Sequence, residues 1–222
     1  MSGGNSRVIR SAQTACDERL PKVLARHRIT VFNKPILAHN VSAFQLAMAR
    51  WQGHGPLVLD TGCGVGESSL RLARMYPESF VVGVDQSADR LGRDKARLGP
   101  APDNLCLVRA DLVDFWRLLR SDGVRLARHY FLYPNPWPKL GHLGRRWHGH
   151  PIFPLLPELG GIMECRSNWR VYVEEFAWAL GCVTGRSVEC ERWEAAVPLT
   201  PFERKYKASG HALFRCVLDL GA

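Results

Sequence analysis

The chain has 222 residues, 46% hydrophobic and 23% charged, which is enough to bury the core of one globular domain and excludes a disordered or fibrous protein. Its 30 Lys and Arg against 21 Asp and Glu leave a net charge of +9, a balance that favours a polyanionic partner such as nucleic acid. Seven cysteines without a two-residue-gap pair, no apolar run approaching a membrane span and no apolar leader exclude a disulfide scaffold, a metal site and a membrane protein, and point to the cytoplasm.

In chain order, residues 1–32 read as a basic N-terminal extension, with a short helix expected within SAQTACDERLPKVLARH, and residues 33–222 as the main domain. From Leu57 onward short apolar runs alternate with amphipathic stretches, the signature of an α/β fold on a mostly parallel sheet. The pattern predicts strands over 57–60, 80–84, 105–108, 130–133 and 161–165, and helices over 67–75, 88–98 and 169–180. Pro154 and Pro157 predict a broken or short helix before Gly160 and Gly161. The runs RSVECERW and ALFRCVLDL, joined by a charged loop, are expected as antiparallel strands closing one edge. That makes seven strands, with helices on both faces.

The run LVLDTGCGVGESS joins a strand to a helix through Gly62, Gly64 and Gly66, where a β-carbon would obstruct both the turn and a ligand lying on the backbone. Dinucleotide-binding turns have GxGxxG spacing and receive a pyrophosphate at the helix start. Here the spacing is GxGxG, and Asp60 precedes the turn where it could accept from a cationic amine, which suits the amino-acid end of S-adenosylmethionine better. Asp85 ends the second strand about twenty residues on, placed for a ribose diol. Asp111, with the Ala110 backbone, follows the third strand where an adenine would lie.

After the fourth strand, HYFLYPNPWPKLGHLGRRWHGH interleaves Trp137 and Trp147 with Lys139, His142, Arg145, Arg146, His148 and His150. Basic groups among aromatic rings suit phosphate contacts combined with stacking on a base.

The segments DTGCGVG, YPNPWPKLGHLGRR, SNWRVYVEEF and TPFERKYKASGHALFR resemble, in order, the signature segments of the bacterial tRNA (guanine-N7-)-methyltransferase family, over about residues 33–220. The resemblance implies a class I (Rossmann-like) methyltransferase fold, S-adenosylmethionine as methyl donor and a guanine of tRNA as acceptor. It implies donor contacts at Asp60, Asp85, Asp111 and Asn135, with Asn135 also the catalytic candidate. Substrate contacts are implied at Lys139, Asn168 and the run Thr200, Pro201, Phe202 and Glu203, and the basic loop adds Arg145 and Arg146. Two positions depart from the family: Asn135 stands where an aspartate is typical, and Ser167 and Asn168 replace a Thr-Asp pair, so two negative charges are lost.

Guanine N7 carries a free lone pair, so methylation needs no general base, and positioning carries the catalysis. Asparagine matches the N1–H and N2–H2 edge of guanine less well than a carboxylate, and Glu203 is expected to serve instead. Two alternatives stand beside this reading. NPW partly resembles the motif of enzymes that methylate exocyclic amines, which opens a small heterocycle or another nucleobase nitrogen as acceptor; the other is a catalytically weak RNA-binding relative. A monomer and a homodimer are equally compatible with the sequence.

Overall fold

A computed structural model describes residues 5–93 and 99–221. Seven strands, β1 (Leu57–Thr61), β2 (Phe80–Asp85), β3 (Leu105–Arg109), β4 (Arg128–Leu132), β5 (Ile162–Ser167), β6 (Glu191–Trp193) and β7 (Leu213–Asp219), form one sheet in the order β3-β2-β1-β4-β5-β7-β6. β1 runs parallel to β2 and β4, and β2 parallel to β3, while β6 and β7 are antiparallel. The α/β, mostly parallel, Rossmann-like architecture read from the sequence is therefore the one adopted.

The chain divides into two compact units. The glycine-turn unit comprises Lys34–Leu132, Leu159–Met163 and Asp219–Ala222; the proline-motif unit comprises Met1–Asn33, Tyr133–Glu158 and Glu164–Leu218.

In the glycine-turn unit, every residue of β1 and β2 is buried, as expected of strands covered on both faces in a parallel sheet. Their register sets Asp60 opposite Gly83 on one side and Tyr130 on the other. Helix α2 (Ala38–Trp51) is an element the sequence reading left unassigned. Helix α3 (Glu67–Met75) starts from Gly66 and matches its predicted bounds. Helix α4 spans Ala88–Gly92, and residues 94–98 of the predicted 88–98 helix lie outside the described residues. Helix α5 (Leu112–Ser121), also unassigned from sequence, is capped by the Asp111 carboxylate and buries Phe115, Trp116 and Leu119.

The proline-motif unit opens with α1 (Leu20–Ile29), the expected short helix, which carries a proline in its first turn where no backbone donor is lost. Helix α1 packs on α6 (Arg170–Thr184), whose apolar face buries Tyr172, Val173, Phe176 and Leu180. The interrupted region before Gly160 is a set of 3-10 turns, Leu140–Arg145, Trp147–Gly149 and Phe153–Leu159, the last with Pro157 inside it. A correction falls on the tail. The expected charged loop is a helix, α7 (Pro201–Ala208), and the first β-rich run contributes only the three residues of β6. Thr200 caps α7 by accepting from the Glu203 N–H, with Pro201 in the first turn, so local capping chemistry fixes this helix.

Candidate active site

At the end of β1 the chain turns through Gly62, Gly64 and Gly66 at φ 70°, 61° and 78°, a region costing other residues roughly 1–2 kcal/mol each. A β-carbon on Gly62 or Gly64 would meet nothing within 4 Å. Backbone shape rather than packing requires these glycines, and the space beside them is open to a ligand.

Asp60 leads into this turn and is 1% exposed. Its Oδ2 accepts from the Ser68 and Ser69 hydroxyls of α3, both at 2.6 Å, while Oδ1 has no hydrogen-bond partner among the described residues. Burial pushes the carboxyl above its ordinary pKa; the two serines pull it back and the nearby Asp85 charge adds to the rise. A buried acceptor left unfilled costs about 1–3 kcal/mol, so the position suits a cationic N–H donor such as an ammonium group. Gly83 makes this arrangement possible, because a β-carbon there would lie 2.2 Å from the Ser69 hydroxyl.

Asp85 closes β2. Its Oδ2 accepts from Gly64 N–H at 2.9 Å, its Oδ1 from Ser87 N–H at 2.8 Å, and the exposed Arg90 reaches Oδ2 at 3.3 Å. A carboxylate offers about four acceptor directions, so Asp85 both rigidifies the glycine turn and retains capacity for a diol. Asp111 Oδ1 accepts from the Val113 N–H as the cap of α5, and the Asp111 backbone N–H donates to Asn40 Oδ1 at 2.9 Å. Asn40, fully buried in α2, also donates to Asp114 at 2.6 Å and so fixes the end of β3; the sequence reading missed it. Its only sequence signal was a polar residue inside an amphipathic helix.

In the proline-motif unit, Asn135 is exposed and its Oδ1 accepts from the Trp137 N–H at 3.3 Å. Lys139 and Arg145 are exposed, and the Arg145 guanidinium lies 4.8 Å over the Trp137 ring. Arg146 departs from expectation. It is fully buried, donates to Glu175 at 2.6 Å, to Gln13 at 2.9 Å and to the Trp137 carbonyl at 3.1 Å, and stacks 4.8 Å over Trp169. A guanidinium buried to 0% exposure cannot meet a phosphate in solvent, so Arg146 braces the loop from within. His148 donates to the same Glu175 at 2.8 Å. Burial pushes its imidazole below the usual pKa, against the opposing pull of Glu175. Burial alone would raise the Glu175 carboxyl, but His148, the Asp17 N–H and Arg146 hold it below the ordinary value.

Glu203 is the second departure. It is fully buried, its Oε1 accepting from Tyr133 OH at 2.8 Å and from Arg166 and Trp193 at 3.1 Å each, its Oε2 from Leu199 N–H at 2.6 Å. Engaged at both oxygens and sealed from solvent, it is closed to a guanine edge. Burial, with Glu203 adjacent, pushes the Tyr133 phenol far above its ordinary pKa, so it stays a donor. Thr200 is likewise committed, to capping α7. Phe202, by contrast, is 55% exposed and begins a ladder of rings: it stacks on Tyr206 at 6.1 Å, and Tyr206 stacks on His211 at 5.3 Å. Asn168 donates to His211 Nδ1 at 3.1 Å, which joins it to the ladder's end.

Residues 54–216 match the model of a family described as putative methyltransferases. Among the relatives, the tRNA (guanine-N(7)-)-methyltransferase of Acinetobacter baylyi is 28% identical over 173 residues, covering 71% of this chain and 67% of its own length. The protein of the same name from Leifsonia xyli subsp. xyli is 29% identical over 169 residues, covering 72% and 74%. Among solved structures, an antibiotic-related methyltransferase matches with a TM-score of 0.54 at 15% identity, over 84% of this chain and 96% of that one. The antibiotic-resistance methyltransferase Kmr matches with 0.51 at 18% identity, over 81% and 93%. These two likenesses concern the fold.

Proposed function

This chain belongs to the putative methyltransferase family, and on that footing we propose that it transfers the methyl group of S-adenosylmethionine to N7 of a guanine in tRNA. The observation that carries the donor half is the buried Asp60 oxygen without a partner among the described residues, beside a glycine turn flanked by open space. The acceptor half rests on the relatives named above and on the order of the signature segments.

S-adenosylmethionine supplies an electrophilic methyl group on a sulfonium. Asp60 accepts from the donor's ammonium and Asp85 from its ribose, while Gly62, Gly64 and Gly66 let the ligand lie against the backbone. Asp111 and the Ala110 backbone border the adenine, Asp111 with the oxygen that does not cap α5. On the acceptor side, Asn135, whose oxygen accepts from the Trp137 N–H, is the residue that orients the base. Lys139 and Arg145 meet phosphates, Phe202 stacks on a base, and Asn168 and Thr200 border the base binding region. N7 needs no deprotonation, so orientation and exclusion of water are what these residues contribute, an effect worth up to about 7–11 kcal/mol in ideal cases.

The test is incubation of the full chain with labelled S-adenosylmethionine and total tRNA, read by nucleoside mass spectrometry. Labelled 7-methylguanosine is expected. Label in a different nucleoside, or in a small-metabolite extract alone, would overturn the acceptor assignment, and absence of donor binding would overturn the enzyme.

A further inference from the structure

The basic extension has no role in the reading above, yet it is held against the segments that reading assigns to the acceptor. Ser6 N–H donates to Ser209 Oγ at 3.1 Å, and its carbonyl lies 3.1 Å from His211 Nε2, at the end of the aromatic ladder. Five residues on, the Ser11 hydroxyl donates to the carbonyl of Pro138 at 2.6 Å, inside the NPWPK loop. Gln13, buried, donates to Glu175 at 2.6 Å and accepts from Arg146 at 2.9 Å. Asp17 N–H donates to the same carboxylate at 2.8 Å, and Arg19 donates to the Leu140 carbonyl. The segment is therefore a strap, tied at one end to the turn after α7 and at the other to the proline motif.

Between the anchors at Ser6 and Ser11 lie Arg7 and Arg10, both exposed. We propose that the strap is part of the RNA-binding face: Arg7 and Arg10 contact backbone phosphates of a strand whose unstacked base lies on the exposed ring of Phe202. The chemistry is complementary on both counts, because guanidinium groups neutralise phosphates and a free aromatic face accepts any base. Anchoring matters as much as charge. An arginine on an ordered strap loses less freedom on binding than one on a loose tail. This inference rests on the tRNA reading and deepens it.

The test compares the full chain with its Arg7→Ala/Arg10→Ala variant for tRNA affinity across a salt series. Loss of two phosphate contacts lowers the slope of log Kd against log salt by about 2, so the variant loses roughly ten-fold less affinity than the parent between 50 and 200 mM salt. Its unfolding midpoint and its affinity for S-adenosylmethionine should match the parent, since neither arginine is buried. An unchanged slope in a variant whose parent binds and methylates tRNA would overturn the strap assignment alone. A parent that neither binds nor methylates tRNA would instead overturn the reading on which it rests.

Discussion

Asp60 in the glycine-turn unit and Glu203 in the proline-motif unit are both sealed from solvent, at 1% and 0% exposure, and their surroundings could hardly differ more. Glu203 is met by a phenol, a guanidinium, an indole and a backbone N–H, so both of its oxygens are filled. Asp60 has two serine hydroxyls on one oxygen and none on the other. A buried carboxylate surrounded by donors holds a fold together; one with a vacancy is strained until a cation arrives. Depth of burial therefore says little about ligand binding, and the unfilled bond says a great deal.

The contrast is most easily broken at Glu203. Glu203→Ala leaves Tyr133, Trp193 and the Leu199 N–H without an acceptor and Arg166 with Glu164 as its remaining partner, so a loss of about 3–5 kcal/mol is expected in urea denaturation. Unchanged stability would erase the distinction. The neighbours Arg145 and Arg146 repeat it in cationic form. Arg146→Ala should cost a similar 3–5 kcal/mol by removing the guanidinium paired with the buried Glu175, whereas Arg145→Ala should stay within about 0.5 kcal/mol in the same assay while weakening tRNA binding.

At Asp60 the expected effect moves from stability to ligand. Asp60→Asn should weaken S-adenosylmethionine binding roughly ten- to hundred-fold by calorimetry, the value of a charge-assisted hydrogen bond, without lowering the stability of the free protein. Phe202→Ala should leave stability within about 0.5 kcal/mol and reduce tRNA affinity by roughly 1–3 kcal/mol, the range for one stacked base.

The subtlest test is the sign of the pH dependence. The Asp60 carboxyl sits above its ordinary pKa in the folded chain, so its contribution is most favourable when protonated and fades as pH rises through the folded value. Glu175 sits below its ordinary value, so its contribution is present at neutral pH and lost as pH falls through the folded value. Stability curves of Asp60→Asn and Glu175→Gln should accordingly depart from the parent in opposite directions as the solution is acidified.

The glycine turn was legible because its chemistry is local: a strand, three left-handed positions and a carboxylate within ten residues leave their mark directly in the sequence. Helix α3 was found to the residue for the same reason. Helix α7 was missed although Thr200, Pro201 and Glu203 form a capping signature, because flanking β-rich runs drew the segment into a hairpin pattern. Arg145 and Arg146 could not be sorted, since a 3-10 turn has no long periodicity to tell inward from outward positions. Two of the partners of Glu203, Arg166 and Tyr133, lie 37 and 70 positions away, and no spacing rule reports bonds over such separations.

The strap has one more consequence, for how the chain assembles as it is synthesised. Ser6 bonds a residue 203 positions later and Gln13 one 162 positions later. At translation rates of about 5–20 residues per second, these residues wait roughly 10–40 seconds for partners that have not yet been made. What leaves the ribosome early is thus fastened late.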